Sequence, residues 1–171
     1  MDDFIYRRGP AFLAHLLRRL ADELVEGAAQ WYPSVGVTVP PRTISTMLAL
    51  DEHKQLGVME LADLLHQSHP LVIGWIKELS RLSLVSSKAD PADKRRTLIS
   101  LTAKGRKELK AIRQALAVMV TASVALMDVA GGESVWRALW AMERDCREQR
   151  FVQRLGSSRF DRSERRRHAV T

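Results

Sequence analysis

The sequence predicts a mainly α protein in which a single β-hairpin interrupts a run of helices. Three observations point there. Apolar residues recur at spacings of three and four over most of the chain, which is the stripe of amphipathic helices. Two short runs, Leu84–Lys88 and Thr97–Leu101, switch to β-type residues. Glycines and prolines (Gly27, Pro33, Pro40, Pro41, Gly131, Gly132) punctuate the stretches between. At 171 residues, 46% hydrophobic and 27% charged, the chain is long enough to bury a core, and wholesale disorder is excluded by composition.

Taken in order, Leu13, Leu16, Leu17, Leu20 and Leu24 line one face of a first helix, expected to end near Gly27. A second opens at Arg42–Thr43, with Thr43 as cap and Ile44, Met47, Leu48 and Leu50 as its apolar positions. A short third follows Gly57 and carries Met59, Ala62, Leu64 and Leu65. Ser68-His69-Pro70 starts a fourth, because proline suits the first helical turn and pushes the residue before it out of helical geometry. Its apolar positions are Leu71, Val72, Trp75, Ile76 and Leu79. The two β-runs come next, joined by residues 89–96, a polar loop too long for a two-residue hairpin turn. Thr102 caps a long helix that runs from Ala103 to the Gly131-Gly132 break. A last helix reaches from Glu133 towards Leu155, and the arginine-rich residues after it read as a flexible tail.

Charge is segregated. Lys77 to Arg113 holds eleven basic and four acidic side chains, and the segment from Arg154 onward holds six arginines against two acids. The net charge is +7, so the remaining chain is mildly acidic. Local positive surfaces of this kind suit polyanions, nucleic acid first. Cys146 is the single cysteine, which excludes an internal disulfide and reads as a half-buried structural thiol. No leader pattern and no uncharged membrane-length stretch is evident, so a soluble cytoplasmic setting away from the membrane is expected. Asp63, His66 and His69 stand three apart, but Pro70 breaks the register, and neither a metal nor a cofactor is expected. With no glycine-rich phosphate loop, nucleophile elbow or HExxH, an enzyme is not expected either.

Two short helices, a sharp connection and a hairpin with a basic tip make a winged helix-turn-helix. A helix of ~10–12 Å diameter fits the ~12 Å major groove, and the hairpin beside it can send an arginine into the minor groove. Residues 57–105 resemble the DNA-binding lobe of the MarR transcriptional regulators. The resemblance is carried by Asp93-Lys94-Arg95 in the wing (D-x-R), a strand, then Leu101-Thr102-Ala103-Lys104-Gly105 (L-T-x-x-G), with Leu61-Ala62 earlier. It implies an N-terminal dimerisation helix and loop over 1–36, a winged lobe over 37–102, dimerisation helices over 103–155 and a basic tail over 156–171.

Carried over by position, the resemblance makes Arg95 the minor-groove arginine, Asp93 its orienting partner, and Lys88, Lys94 and Arg96 phosphate contacts. It places Ser68, His69, Leu71, Ile73, Gly74 and Lys77 on or near the groove-facing side of the recognition helix. Ile73 and Gly74 depart from the Ser/Thr-Arg often found there, so direct base readout is thin. Leu13, Leu16, Trp136 and Trp140 are expected at a homodimer seam, and Trp31 and Tyr32 near a small-molecule effector pocket. The implied function is a homodimeric, sequence-specific regulator, most simply a repressor, on a pseudo-palindromic duplex. The alternative is a winged-helix protein-interaction module with little sequence readout.

Overall fold

In the computed structural model, residues 3–93 and 95–157 are described. The first helix, α1 (Phe4–Arg8), was not expected; it forms because the Asp3 carboxylate accepts from the Ile5 and Tyr6 amides at 2.8 and 3.0 Å. A 3₁₀ turn leads into α2 (Leu13–Trp31), which passes straight through Gly27 and ends only where Pro33 follows. α3 (Ile44–His53) comes after a further 3₁₀ turn that contains Thr43. The Thr43 hydroxyl does not cap α3. It is fully buried and donates to the Pro40 carbonyl at 2.8 Å, because its backbone is already helical.

Next come β1 (Gln55–Gly57), α4 (Val58–Leu64), α5 (His69–Arg81), β2 (Val85–Ala89) and β3 (Thr97–Leu101). The sheet is antiparallel in the order β1-β3-β2, with Gln55 opposite Ser100 and Val85 opposite Leu101. The third strand, β1, was missed by the sequence reading. α6 (Ala103–Asp128) is followed by α7 (Glu133–Glu148) and α8 (Phe151–Ser157). The expected single last helix is therefore two, because Gln149 turns to extended geometry.

The chain divides into two compact units, one through Val118 and one from Met119. In the first, the core comprises Met47 and Leu50 of α3, Leu61 of α4, Val72 and Leu79 of α5, Leu84, Ile99 of β3 and Ile112 of α6, each at most 1% exposed. The L-T-x-x-G segment locks that core to the start of α6. Thr102 donates through its hydroxyl to the Ser83 carbonyl at 2.8 Å and accepts from the Gly105 amide at 3.0 Å. A Cβ on Gly105 would lie 2.1 Å from the Leu84 carbonyl oxygen, so only glycine fits. Further along the same half of α6, Glu108 accepts from the Thr38 amide (2.6 Å) and Arg113 pairs with Asp51.

Candidate nucleic-acid interface

α5 owes its position to one face. Val72, Trp75, Ile76 and Leu79 recur at helical spacing and are all buried. Opposite them, 3.6-residue periodicity places Pro70, Gly74, Lys77 and Arg81, all exposed. That outer stripe is apolar and small at its N-terminal end and cationic at its C-terminal end. A Cβ added to Gly74 would meet nothing within 4 Å. Leu71, 43% exposed, flanks the stripe; Ile73 is half-buried on the other flank; Ser68 and His69 are exposed at the helix start. Ser68 makes no side-chain cap bond. Arg81, not among the residues expected to face DNA, shares the stripe with Lys77 at i+4 spacing. Glu78, half-buried, is held by Arg42 at 3.0 Å.

The wing follows. Lys88 near the end of β2 is exposed, as are residues 91–93 and 95 at the tip. The Arg95 side chain is 94% exposed. Its backbone amide donates to Asp93 Oδ1 at 3.0 Å, and its Nε lies 3.5 Å from the same oxygen. Lys94 falls outside the described residues.

Arg96, grouped with the phosphate contacts by resemblance, is occupied by acids. Its guanidinium pairs with Glu60 of α4 and lies 3.3 Å from Asp90, whose side chain is almost entirely buried. Glu60 also accepts from the Gly57 amide at 2.7 Å. The Gly57 amide first, and Arg96 next, hold the Glu60 carboxyl below its ordinary value, against desolvation and the nearby Asp90. Sequence reasoning missed this triad because its members come from two elements 36 residues apart.

Away from the wing, a cavity of about 600 Å³ opens between the C-terminal part of α2 and the loop before α3, with Val25, Ala29, Tyr32, Pro33, Val39 and Arg42 in its wall. Its size falls in the range of small-molecule sites. Tyr32 is 3% exposed, and burial raises its phenol pKa above the ordinary value. Trp31 stacks at a tilt on Tyr32, with centroids 6.0 Å apart, and does not line the cavity.

The expected seam residues remain uncovered. Leu13, Leu16, Leu17, Leu20 and Leu24 on α2 are 37–54% exposed. Trp136 and Trp140 on α7 meet edge to face at 5.7 Å and are about half exposed. Cys146 on α7 is exposed, which corrects the half-buried reading; α7 has no buried residue at all. α6 is long and apolar enough by length and composition to cross a membrane, but Arg113 and Asp128 bound its uncharged run, so it holds no uncharged stretch of membrane length. Among the described residues no group of three His, Cys, Asp or Glu could hold a metal ion. α4 ends before His66, so Asp63, His66 and His69 share no helical face.

A family model described as a winged helix DNA-binding domain matches residues 59–105. No curated protein matches the chain. Several solved structures are similar. MepR of Staphylococcus aureus, in complex with DNA, is 24% identical over 77% of this chain and 96% of its own, with a TM-score of 0.66. BpsR of Bordetella bronchiseptica, whose DNA binding is regulated by 6-hydroxynicotinic acid, is 21% identical over 77% and 98%, with a TM-score of 0.65. The PcaV transcriptional regulator of Streptomyces coelicolor, bound to its natural ligand, is 19% identical over 87% and 99%, with a TM-score of 0.64. Residues 59–105 thus match a winged helix DNA-binding domain, and the chain shares the fold of these solved proteins.

Proposed function

We propose that the chain is a homodimeric transcriptional regulator that binds a pseudo-palindromic duplex, one winged lobe to each half-site. The observation that carries this reading is the pairing of a fully presented Arg95 with a recognition helix whose outer stripe ends in Lys77 and Arg81. Arg95 enters the minor groove, oriented by Asp93; Lys77, Lys88, Lys94 and Arg81 meet phosphates. Base contact is mainly apolar: Leu71 and the bare backbone at Gly74 can lie against thymine methyls, and the rest of the readout comes from DNA shape.

Dimerisation is supported by the uncovered leucine stripe of α2 and the tryptophan pair of α7, apolar surface that an isolated chain would leave in water. The cavity beside Tyr32 is a candidate effector site. A ligand there acts only if it binds the DNA-competent and incompetent states unequally.

Recovery of genomic fragments by the wild type and by Arg95→Ala tests the reading. The wild type should enrich discrete sites with two-fold sequence symmetry, and the variant should lose them. Gly74, open to solvent with no reading side chain, favours one second reading, a winged module that recruits protein with little sequence preference. Enrichment without any shared sequence would support it.

A further inference from the structure

The Glu60–Arg96–Asp90 triad contributes nothing to the exposed stripe, yet it ties together two elements that must act on a duplex at the same time. Arg96 ends the wing loop. Its carbonyl accepts from the Asp90 amide and its own amide donates to the Asp93 carbonyl, both at 2.9 Å, so the tip hangs from a closed ring of backbone bonds. The side chain then crosses to α4, where Glu60 takes it. The guanidinium passes close over Gly57: a Cβ there would sit 3.1 Å from Arg96 Nε, and the side chain would have to give by a few tenths of an ångström. Gly57 also pairs with Leu98 in the sheet, so β1, α4 and the wing converge on one guanidinium. Arg96 is anchored against the two acids at 41% exposure, while Arg95, in the turn that the Arg96 amide closes onto the Asp93 carbonyl, stands outward at 94%.

We propose that this triad is a positioning clamp: Arg96, gripped by Glu60 of α4 and Asp90 of the wing, fixes the wing's angle against the helix-turn-helix so that Arg95 and α5 engage one duplex together. The clamp rests on the DNA-binding reading above. It makes an unusual demand on sign. Neutralising an acid on a DNA-binding lobe ordinarily strengthens binding, because repulsion of the phosphates falls. Here neutralising Glu60 weakens it.

The test uses the full chain as wild type, Glu60→Gln, Arg95→Ala and the double variant. Glutamine keeps an oxygen for the Gly57 amide and removes only the charge that holds Arg96. The probe is a labelled duplex selected by the wild type from fragmented genomic DNA of its source organism. Glu60→Gln should bind about three- to thirtyfold more weakly than wild type, and should add no further loss in the Arg95→Ala background, because the clamp acts through Arg95. Glu60→Gln binding as tightly as wild type, or losing equally in both backgrounds, overturns the clamp. Amide hydrogen exchange gives a readout that needs no DNA. The Asp90 and Arg96 amides should exchange faster in Glu60→Gln by a factor of about five or more, with α5 unchanged. Should the wild type hold no duplex, the regulator reading falls; unchanged wing exchange then overturns the clamp on its own.

Discussion

The winged lobe and the helices that flank it treat apolar residues in opposite ways. In the lobe, Leu61, Leu79 and Leu84 are completely buried, and carboxylates such as Glu60, Glu78 and Asp90 are matched to arginines. On α2, Leu16 stands 54% exposed, and on α7 Trp136 and Trp140 are 52% and 50% exposed. The lobe encloses a core within a single chain and leaves Met59, Leu64 and Leu71 exposed outside it, whereas the flanks carry whole apolar stripes that a lone chain leaves in water. One region presents cationic side chains on its outside; the other leaves apolar side chains uncovered.

The contrast breaks most visibly in the core. Leu79→Ala should destabilise the fold by about 2–5 kcal/mol, since a fully enclosed leucine loses both transfer energy and packing. Denaturant melts would measure it, and a shift below 1 kcal/mol would mean that the site relaxes as a surface does. A tryptophan of the flank should behave differently. Trp140→Ala should weaken self-association by at least about thirtyfold, the size of an interface hot spot near 2 kcal/mol. Sedimentation across a concentration series reads this, and an unchanged monomer–dimer equilibrium would remove α7 from the seam.

Smaller effects sharpen the comparison. Gly74→Ala fills open space on α5 and should stabilise the lobe by about 1 kcal/mol, the ordinary difference between glycine and alanine within a helix. Its effect on DNA affinity then reports how closely the duplex approaches that position. At the N-terminus, the Arg19 side-chain bond, with help from the Tyr6 amide, lowers the Asp3 carboxyl from 3.8 to about 2. A depressed folded-state pKa stabilises above the unfolded value, so this contribution is complete above about 4 and fades as pH falls towards 2. In Arg19→Ala, titration of Asp3 followed by NMR should move back towards the ordinary carboxylate range.

Much of the lobe was legible in the sequence because its signals are local. Apolar spacing marked α5, and L-T-x-x-G marked a junction in which Thr102 and Gly105 each have a steric or hydrogen-bonding reason to be there. What escaped depends on distant partners. β1 is three residues long, too short to show alternation, and exists because Ser100 to Leu98 pair with it. Gly27 was expected to stop α2, yet a single glycine within a helix costs only ~1 kcal/mol and the helix continues to Trp31. The site followed the same division. D-x-R announced Arg95 and Asp93 from two residues apart, but nothing near Arg96 announced Glu60, 36 residues away.

The central claim is that Arg95 and the cationic end of α5 engage a duplex. A salt series of DNA affinity, wild type against Arg95→Ala, tests it most directly. Log affinity should fall steeply with log salt concentration for the wild type, and the variant should bind about ten- to a hundredfold more weakly at every salt, within the ~1–3 kcal/mol of a good groove contact. A flat salt dependence, or equal affinity of the two proteins, would contradict it.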